Sequence, residues 1–362
     1  MTAPRIEIDL AKIGHNARVL VAACAARGIS VAAVTKAMLG CPEVGATLVA
    51  AGVSSLADSR IENIERLRRG GLTPPVMLIR SPMLSQIDRV VASADISCNT
   101  EYSILRALSA AAVRLDRRHA VVLMVELGDL REGVLPECLI ELAGRTLGLA
   151  NLDLRGIGTN LACQSGVVPD ETNMAQLSAM ADSVEATYGI ELKTVSGGNS
   201  ANLLWLSDIE DAGRVNELRL GESILLGRQP LTRGPIDGLH LDAVSIVAEV
   251  IESKRKATTP TGQLGQTAFG QPRLRGEFDS SVPRPWQSLL ALGRQDIDPD
   301  GLLAPDLLLI DGASSDHLVV RSEERLAIGS EIRFMPDYAS LVRAMTSPFL
   351  PRFIRSGTPG LR

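Results

Sequence analysis

The sequence predicts an α/β fold: a (β/α)8 TIM-type barrel followed by a second, mostly β C-terminal domain. Three observations carry this. Between about residues 30 and 225, eight short apolar runs alternate with stretches in which apolar residues recur every three or four positions, the pattern of repeated strand–helix units. After Pro230 the alternation stops, and strand-like runs follow one another without helices of comparable length. Polar residues also stand at the end of nearly every apolar run of the first region, where a purely structural barrel needs none in particular.

The eight runs are residues 31–35, 52–56, 76–79, 95–97, 120–127, 154–158, 193–196 and 217–220. Helical periodicity covers, among others, residues 10–26, 100–112 and 172–188. Asn99-Thr100 and Pro169-Asp170 are helix starts, because short polar side chains cap free backbone N–H groups. Parallel strands each followed by a helix close into a barrel whose active site lies at the C-terminal ends of the strands. The second domain draws its strands from residues 241–251, 289–292, 307–310, 317–321 and 331–334. The expected organisation is a barrel over residues 1–230, a β domain over 231–355 and a frayed tail over 356–362. The polar stretch 254–284, with Gly262, Gly265, Gly270 and Gly276, reads equally as an ordered functional loop or a flexible excursion.

The composition narrows the function class. The 362 residues are 45% hydrophobic and 22% charged, which suits a globular chain of two domains. A net charge of −5 leaves no cationic footprint for nucleic acid, and the arginine clusters at 66–69 and 114–118 read as solvated helix faces. Five scattered cysteines form no C-x-x-C pair, so neither a zinc site nor a redox dithiol is expected. No basic segment precedes an apolar run at the N-terminus, and no apolar stretch reaches the ~18 residues of a membrane helix. The expectation is a soluble, cytoplasmic protein with reduced thiols and no metal.

Lys36, Asp58, Arg80, Asn99, Asp129, Arg131, Asn160, Asn199, Ser200 and Arg219 all fall at or near strand ends. Their convergence on one rim says more than any member alone. Lys36 ends the first run, so its amine would enter the barrel mouth, where partial desolvation favours a nucleophilic amine; the alternative is a surface lysine with its stem on the rim. Ser196-Gly197-Gly198-Asn199-Ser200 precedes a helix-like segment and offers backbone N–H groups beside a hydroxyl, an anion cradle suited to phosphate. Arg219-Leu220-Gly221-Glu222, one unit later, adds a cation and further N–H groups.

These residues resemble a known family. Ala33-Val34-Thr35-Lys36-Ala37, Asn199-Ser200 and Arg219-Leu220-Gly221, in this order, are similar to the alanine racemase family of fold-type III pyridoxal-phosphate enzymes. Leu127-Gly128-Asp129-Leu130-Arg131-Glu132-Gly133, Gly158-Thr159-Asn160-Leu161, Leu292-Gly293-Arg294-Gln295-Asp296 and Gly312-Ala313-Ser314-Ser315-Asp316-His317 resemble its ornithine racemase-like subgroup. The likeness runs from about Ile6 to Ile354.

The resemblance implies a pyridoxal 5'-phosphate-dependent amino-acid racemase (an isomerase) that interconverts L and D forms of a small-molecule substrate, a basic amino acid such as ornithine or lysine. It implies a head-to-tail homodimer in which one subunit's β domain completes the other's site. Carried over by motif, Lys36 holds the cofactor as a Schiff base and moves the Cα proton on one face. Arg131 serves the substrate carboxylate, Asn160 stands beside the cofactor ring, and Ser200, Gly221, Glu222 and Tyr338 hold the phosphate. Arg219 faces the pyridine nitrogen. Because arginine stays protonated, it leaves that nitrogen unprotonated and the ring a weaker electron sink, which suits proton return better than decarboxylation.

Departures are informative. The family's second base, a tyrosine of the β domain, is replaced in the segment Gly293-Arg294-Gln295-Asp296; the tyrosine four residues after the lysine is Gly40; and the histidine at the ring is Asn160. His317 and Asp316 are the candidate second bases, Arg294 being a poor one; His317 reads equally as a β-domain core residue. Asp296, Asp298 and Asp316 are candidate partners of a substrate side-chain ammonium, or ordinary turn aspartates. The rival activity is a basic amino-acid decarboxylase, which would meet the ring nitrogen with a glutamate. A metal-assisted dehydratase or aldolase is disfavoured because His317-Leu318-Val319 lacks a cysteine partner. A non-enzymatic pyridoxal-phosphate-binding protein would be a single barrel.

Overall fold

A computed structural model describes residues 2–257, 260–270 and 285–356. The strands are β1 (Arg5–Asp9), β2 (Ser30–Val34), β3 (Ser55–Asp58), β4 (Val76–Leu78), β5 (Ile96–Asn99), β6 (His119–Met124), β7 (Leu152–Gly158), β8 (Thr194–Gly198), β9 (Glu217–Leu220), β10 (Val244–Arg255), β11 (Trp286–Leu290), β12 (Leu302–Leu303), β13 (Leu308–Ala313), β14 (Leu318–Ser322), β15 (Glu331–Pro336) and β16 (Arg352–Arg355). β2 to β9 form a closed parallel barrel in sequence order. Each of the eight expected runs contributes one barrel strand, and each strand is followed by a helix, as the sequence pattern requires.

The barrel interior follows from alternation along the strands. Ala32, Val34, Ala57, Met77, Ile96, Cys98, Val122 and Met124 form one buried cluster contributed by β2 to β6. Small alanines facing long, pliable methionines fill the tapered space. Among the helices, Glu171–Tyr188 is the most clearly punctuated: Asp170 and Asn173 form a reciprocal capping box, and Gly189 closes the helix at φ 62°. Asn99 does not cap the helix Tyr102–Arg114. It is the last residue of β5, and Glu101 precedes the helix without a side-chain cap.

The other unit is an antiparallel sheet in the order β12-β15-β10-β11-β14-β13, with β1 paired to both β10 and β16. It also contains a helix, Tyr338–Thr346, capped by Asp337. The compact units are Ala11–His240 and, together, the described parts of Met1–Leu10 and Leu241–Arg362. This differs from a barrel spanning residues 1–230. β1 pairs antiparallel with β10 and parallel with β16, which ties the N-terminal segment to the sheet. The segment up to His240 stays with the barrel, where the His240 N–H donates to Asn16 Oδ1 at 2.7 Å. Of the 254–284 stretch, residues 258–259 and 271–284 lie outside the described residues, as does most of the 356–362 tail. No helix among the described residues is long and apolar enough to cross a membrane.

Candidate active site

Five neighbouring barrel strands, β6, β7, β8, β9 and β2, deliver the barrel-borne candidates to their C-terminal ends. Lys36 opens a short 3-10 turn, Lys36–Met38, directly after β2 and Thr35, and is half-buried. The turn is fixed from below. The buried Thr35 hydroxyl lies 2.8 Å from Asp58 Oδ2, and Asp58 Oδ1 accepts the Arg60 N–H and Asn63 Nδ2, each at 3.0 Å. Burial pushes the Asp58 carboxyl above its ordinary range, and the donors around it offset only part of that. Gly40 takes φ +63°, and a Cβ there would stand 2.5 Å from the Asn63 carbonyl oxygen, so no tyrosine fits where the family places one.

Arg219 is 4% exposed on β9. It pairs in register with Ala32, so its side chain shares the inward phase of the barrel core. Its Nη2 donates to the Thr159 carbonyl at 2.6 Å and to Asn160 Oδ1 at 3.5 Å, and its Nη1 donates to Ser196 Oγ. Asn160 Oδ1 also accepts from Asn199 Nδ2 at 3.1 Å. Two donors on that oxygen set the orientation of the amide, leaving Asn160 Nδ2 buried with no partner in the described structure. A buried donor without an acceptor is costly.

Ser200, 3% exposed, gathers the opposite end of the site. The N–H groups of Gly221 and Ser223 approach its Oγ at 3.4 and 3.3 Å, and the Ser223 hydroxyl at 3.0 Å. These donors bond the Ser200 hydroxyl here; turned to a bound anion, the same hydroxyls and N–H groups would make a phosphate-type cradle. Glu222 lies beside it, ion-paired with Arg233 at 2.8 Å.

Arg131 lies in the loop after β6, with its fork on the Glu132 carboxylate. Of the residues that shape this loop, Asp129 and Gly133 stood in the motif read from the sequence, and Glu126 went unrecognised. Glu126 accepts the N–H groups of Gly128, Leu130 and Arg131 at 2.5, 3.1 and 3.2 Å. Gly133, at φ +155°, passes so close that a Cβ would lie 2.3 Å from the Glu126 nitrogen. Asp129, 1% exposed, accepts the N–H groups of Cys163, Gln164 and Ser165 and so ties this loop to the one after β7. The only sequence signal was an acid two residues before Gly128, which any solvated loop also shows. Asn99 is likewise buried and bonded to Ser97 rather than to the mouth.

The remaining candidates stand in the sheet domain. Asp316 and His317 are both exposed, so His317 is not a core residue. Their turn is fastened to the Gly293–Asp296 segment: Arg294 N–H donates to the Ser314 carbonyl at 2.8 Å, and Gln295 Nε2 donates to Asp316 Oδ1 at 2.8 Å. A Cβ on Gly293 would fall 2.1 Å from the Ser315 oxygen, so only glycine admits this approach. Asp296 is buried against the Ser347 hydroxyl at 2.7 Å, and Asp298 caps a short turn. Of the three acids proposed for a substrate ammonium, Asp316 alone is exposed on this turn. Tyr338 opens the helix behind Asp337 and is half-buried.

Comparison with known proteins places this geometry. Residues 8–229 match the family described as "Alanine racemase, N-terminal domain". The chain is 36% identical over 354 residues to an ornithine racemase of Acetoanaerobium sticklandii, covering 96% of this chain and 99% of that one. It is 35% identical over 355 residues to a lysine racemase of Thermotoga maritima, covering 97% and 98%. Among solved structures, an alanine racemase from the D-cycloserine-producing Streptomyces lavendulae superposes with a TM-score of 0.75 at 19% identity, over 99% of each chain, a likeness of fold. On the family match and these relatives of nearly equal length, the chain belongs to the alanine racemase family.

Proposed function

We propose that the chain is a pyridoxal-phosphate-dependent amino-acid racemase whose substrate is a basic amino acid, ornithine or lysine. The observation that carries the reading is the convergence of Lys36, the fixed Arg219, the partnerless Asn160 Nδ2 and the Ser200 cradle on adjoining barrel strands. These residues fit the cofactor that the family uses: a lysine for its aldehyde, a cradle for its phosphate, and a cation and a buried donor for its ring. When bound, pyridoxal phosphate supplies an electron sink conjugated to the substrate Cα, which weakens the Cα–H bond.

The chain's own residues do the rest. The Lys36 amine removes or returns the Cα proton on one face. Ser200, with the N–H groups of Gly221 and Ser223, would hold the phosphate. Arg219 would stand at the ring nitrogen as a donor only, which favours return of the proton over loss of carbon dioxide. Arg131, whose fork takes a carboxylate in two parallel bonds and rests on Glu132 here, would exchange that partner for the substrate carboxylate. The opposite face is served from the exposed 314–317 turn of a second copy in a homodimer, with His317 or Asp316 as the base. Asp316 is the partner of the substrate's side-chain ammonium. Ornithine and lysine are what the named relatives act on by their names. The five free cysteines suit a reducing, cytoplasmic setting.

Lys36→Ala tests the reading. Racemisation of ornithine and lysine should fall by roughly 10²–10⁴-fold, together with the visible absorbance of bound cofactor. Retained racemase activity would remove Lys36 from the chemistry.

A further inference from the structure

Position 217 carries a carboxyl group in a barrel whose interior cluster from β2 to β6 is alanine, valine, isoleucine, methionine and cysteine. Glu217 and Arg219 lie two residues apart on β9, beside Ser30 and Ala32 of β2, so their side chains share one face. Ser196 of β8 stands directly across from Glu217. All three are withdrawn from water, at 7%, 4% and 1% exposure for Glu217, Arg219 and Ser196. Burial pushes the Glu217 carboxyl up, and the charges of Arg219 and Arg155 offset part of it. An interior carboxyl of this kind works against the fold, and a leucine would fill the space at lower cost.

The bonding gives the carboxyl a task. Ser196 Oγ donates to Glu217 Oε1 at 2.8 Å, and Arg219 Nη1 donates to the same Ser196 oxygen. A guanidinium only donates and a hydroxyl has one proton. With Oε1 of Glu217 unprotonated the direction is fixed: the Ser196 proton goes to Glu217, which leaves the Ser196 lone pairs for Arg219. Without an acceptor at 217 the hydroxyl is free to rotate, and its proton then competes with the guanidinium. The other side of the fork is held by the Thr159 carbonyl and Asn160 Oδ1, so Ser196 supplies the second anchor that stops the guanidinium plane from turning.

We propose that Ser196 and Glu217 are a positioning pair that orients Arg219 toward the cofactor ring, with Glu217 acting through the Ser196 hydroxyl. The inference rests on the pyridoxal-phosphate reading of the site. Neither residue touches the reacting atoms; their effect is on how well the fork meets the ring.

The test compares wild type, Ser196→Ala, Glu217→Leu, Glu217→Gln and the Ser196→Ala/Glu217→Leu double variant. Three quantities are read: the dissociation constant of pyridoxal phosphate, the position of its visible absorption band when bound, and the thermal midpoint of the cofactor-free protein. Ser196→Ala and Glu217→Leu should each weaken cofactor binding by roughly tenfold and move the band. The double variant should be no weaker than the worse single one, because both break the same chain. Glu217→Gln keeps a carbonyl acceptor and should stay close to wild type. The midpoint of Glu217→Leu should hold or rise, opposite in sign to its loss of cofactor, which a merely structural role would not produce. Single variants that match wild type, losses that multiply in the double variant, or a Glu217→Gln as weak as Glu217→Leu would overturn the inference while leaving the site reading intact. A wild-type protein that takes up no pyridoxal phosphate would overturn both.

Discussion

Asp58 and Glu217 of the barrel and Glu7 of the sheet domain are buried carboxyl groups partnered in opposite ways. Asp58 in the barrel is met by neutral donors: a threonine hydroxyl, a backbone N–H and an asparagine amide. Glu217 is met by the Ser196 hydroxyl, with arginine charge nearby. Glu7 of β1 is 3% exposed and ringed by cations, accepting from Arg5 and Arg333 at 2.8 Å each and pairing with Arg355. Arg5 in turn holds Glu331 through two 2.6 Å bonds. Burial pushes all three carboxyls up; in Glu7 the bonds from Arg333 and Arg5 outweigh it and hold the group below its ordinary range, while in Asp58 and Glu217 burial wins. Direct arginine bonds at Glu7, against deeper burial at Asp58 and Glu217, set the sign. The sheet domain uses ionic partners to fasten β1, β15 and β16, whereas the barrel keeps carboxyls that steady the neighbours of Lys36 and Arg219.

The sharpest way to break this contrast is Glu7→Ala. It takes the carboxylate from between Arg333 and Arg355 and leaves Arg5 with Glu331 alone, and should cost about 2–4 kcal/mol in denaturant unfolding, below the upper range for a buried pair because Arg333 and Arg355 reach water. A cost under about 0.5 kcal/mol would make the cluster ordinary surface charge. The pH dependence sharpens the point. A group held low contributes its stability above the ordinary value of 4.5 and loses it as pH falls through the lowered value, so Glu7→Ala should flatten the acid side of the stability profile. Asp58 works the other way: held high, it favours the fold while protonated and gives that up as pH rises through its raised value. The smallest effect is expected from Asp58→Asn, which keeps acceptors for Arg60 and Asn63. Its stability at neutral pH should change by less than about 1 kcal/mol, and the decline with rising pH should shrink. A loss of several kcal/mol would mean that Asp58 works as a charge, as Glu7 does.

Much of the barrel was legible because its signal is local. Each strand is a short apolar run, and Lys36, Asn160, Ser200 and Arg219 could be placed from the runs they end or follow. β1 was not, because its partners in β10 and β16 lie at the other end of the chain, and no local pattern announces a distant pairing. The helix Tyr338–Thr346 was overlooked among strands because it is short and begins directly after Pro336 and Asp337. Glu126, Ser196 and Glu217 escaped for another reason. Their roles come from hydrogen bonds that exist only once the chain has folded, and nothing in an isolated serine or glutamate signals which proton it will receive.

Incubating the purified protein with pyridoxal phosphate and single enantiomers of ornithine and lysine in deuterated water, and reading enantiomer ratio, Cα deuterium and carbon dioxide together, tests the central claim most directly. The account predicts racemisation with deuterium at Cα and no gas. Carbon dioxide release, or no exchange with any amino acid, would contradict it.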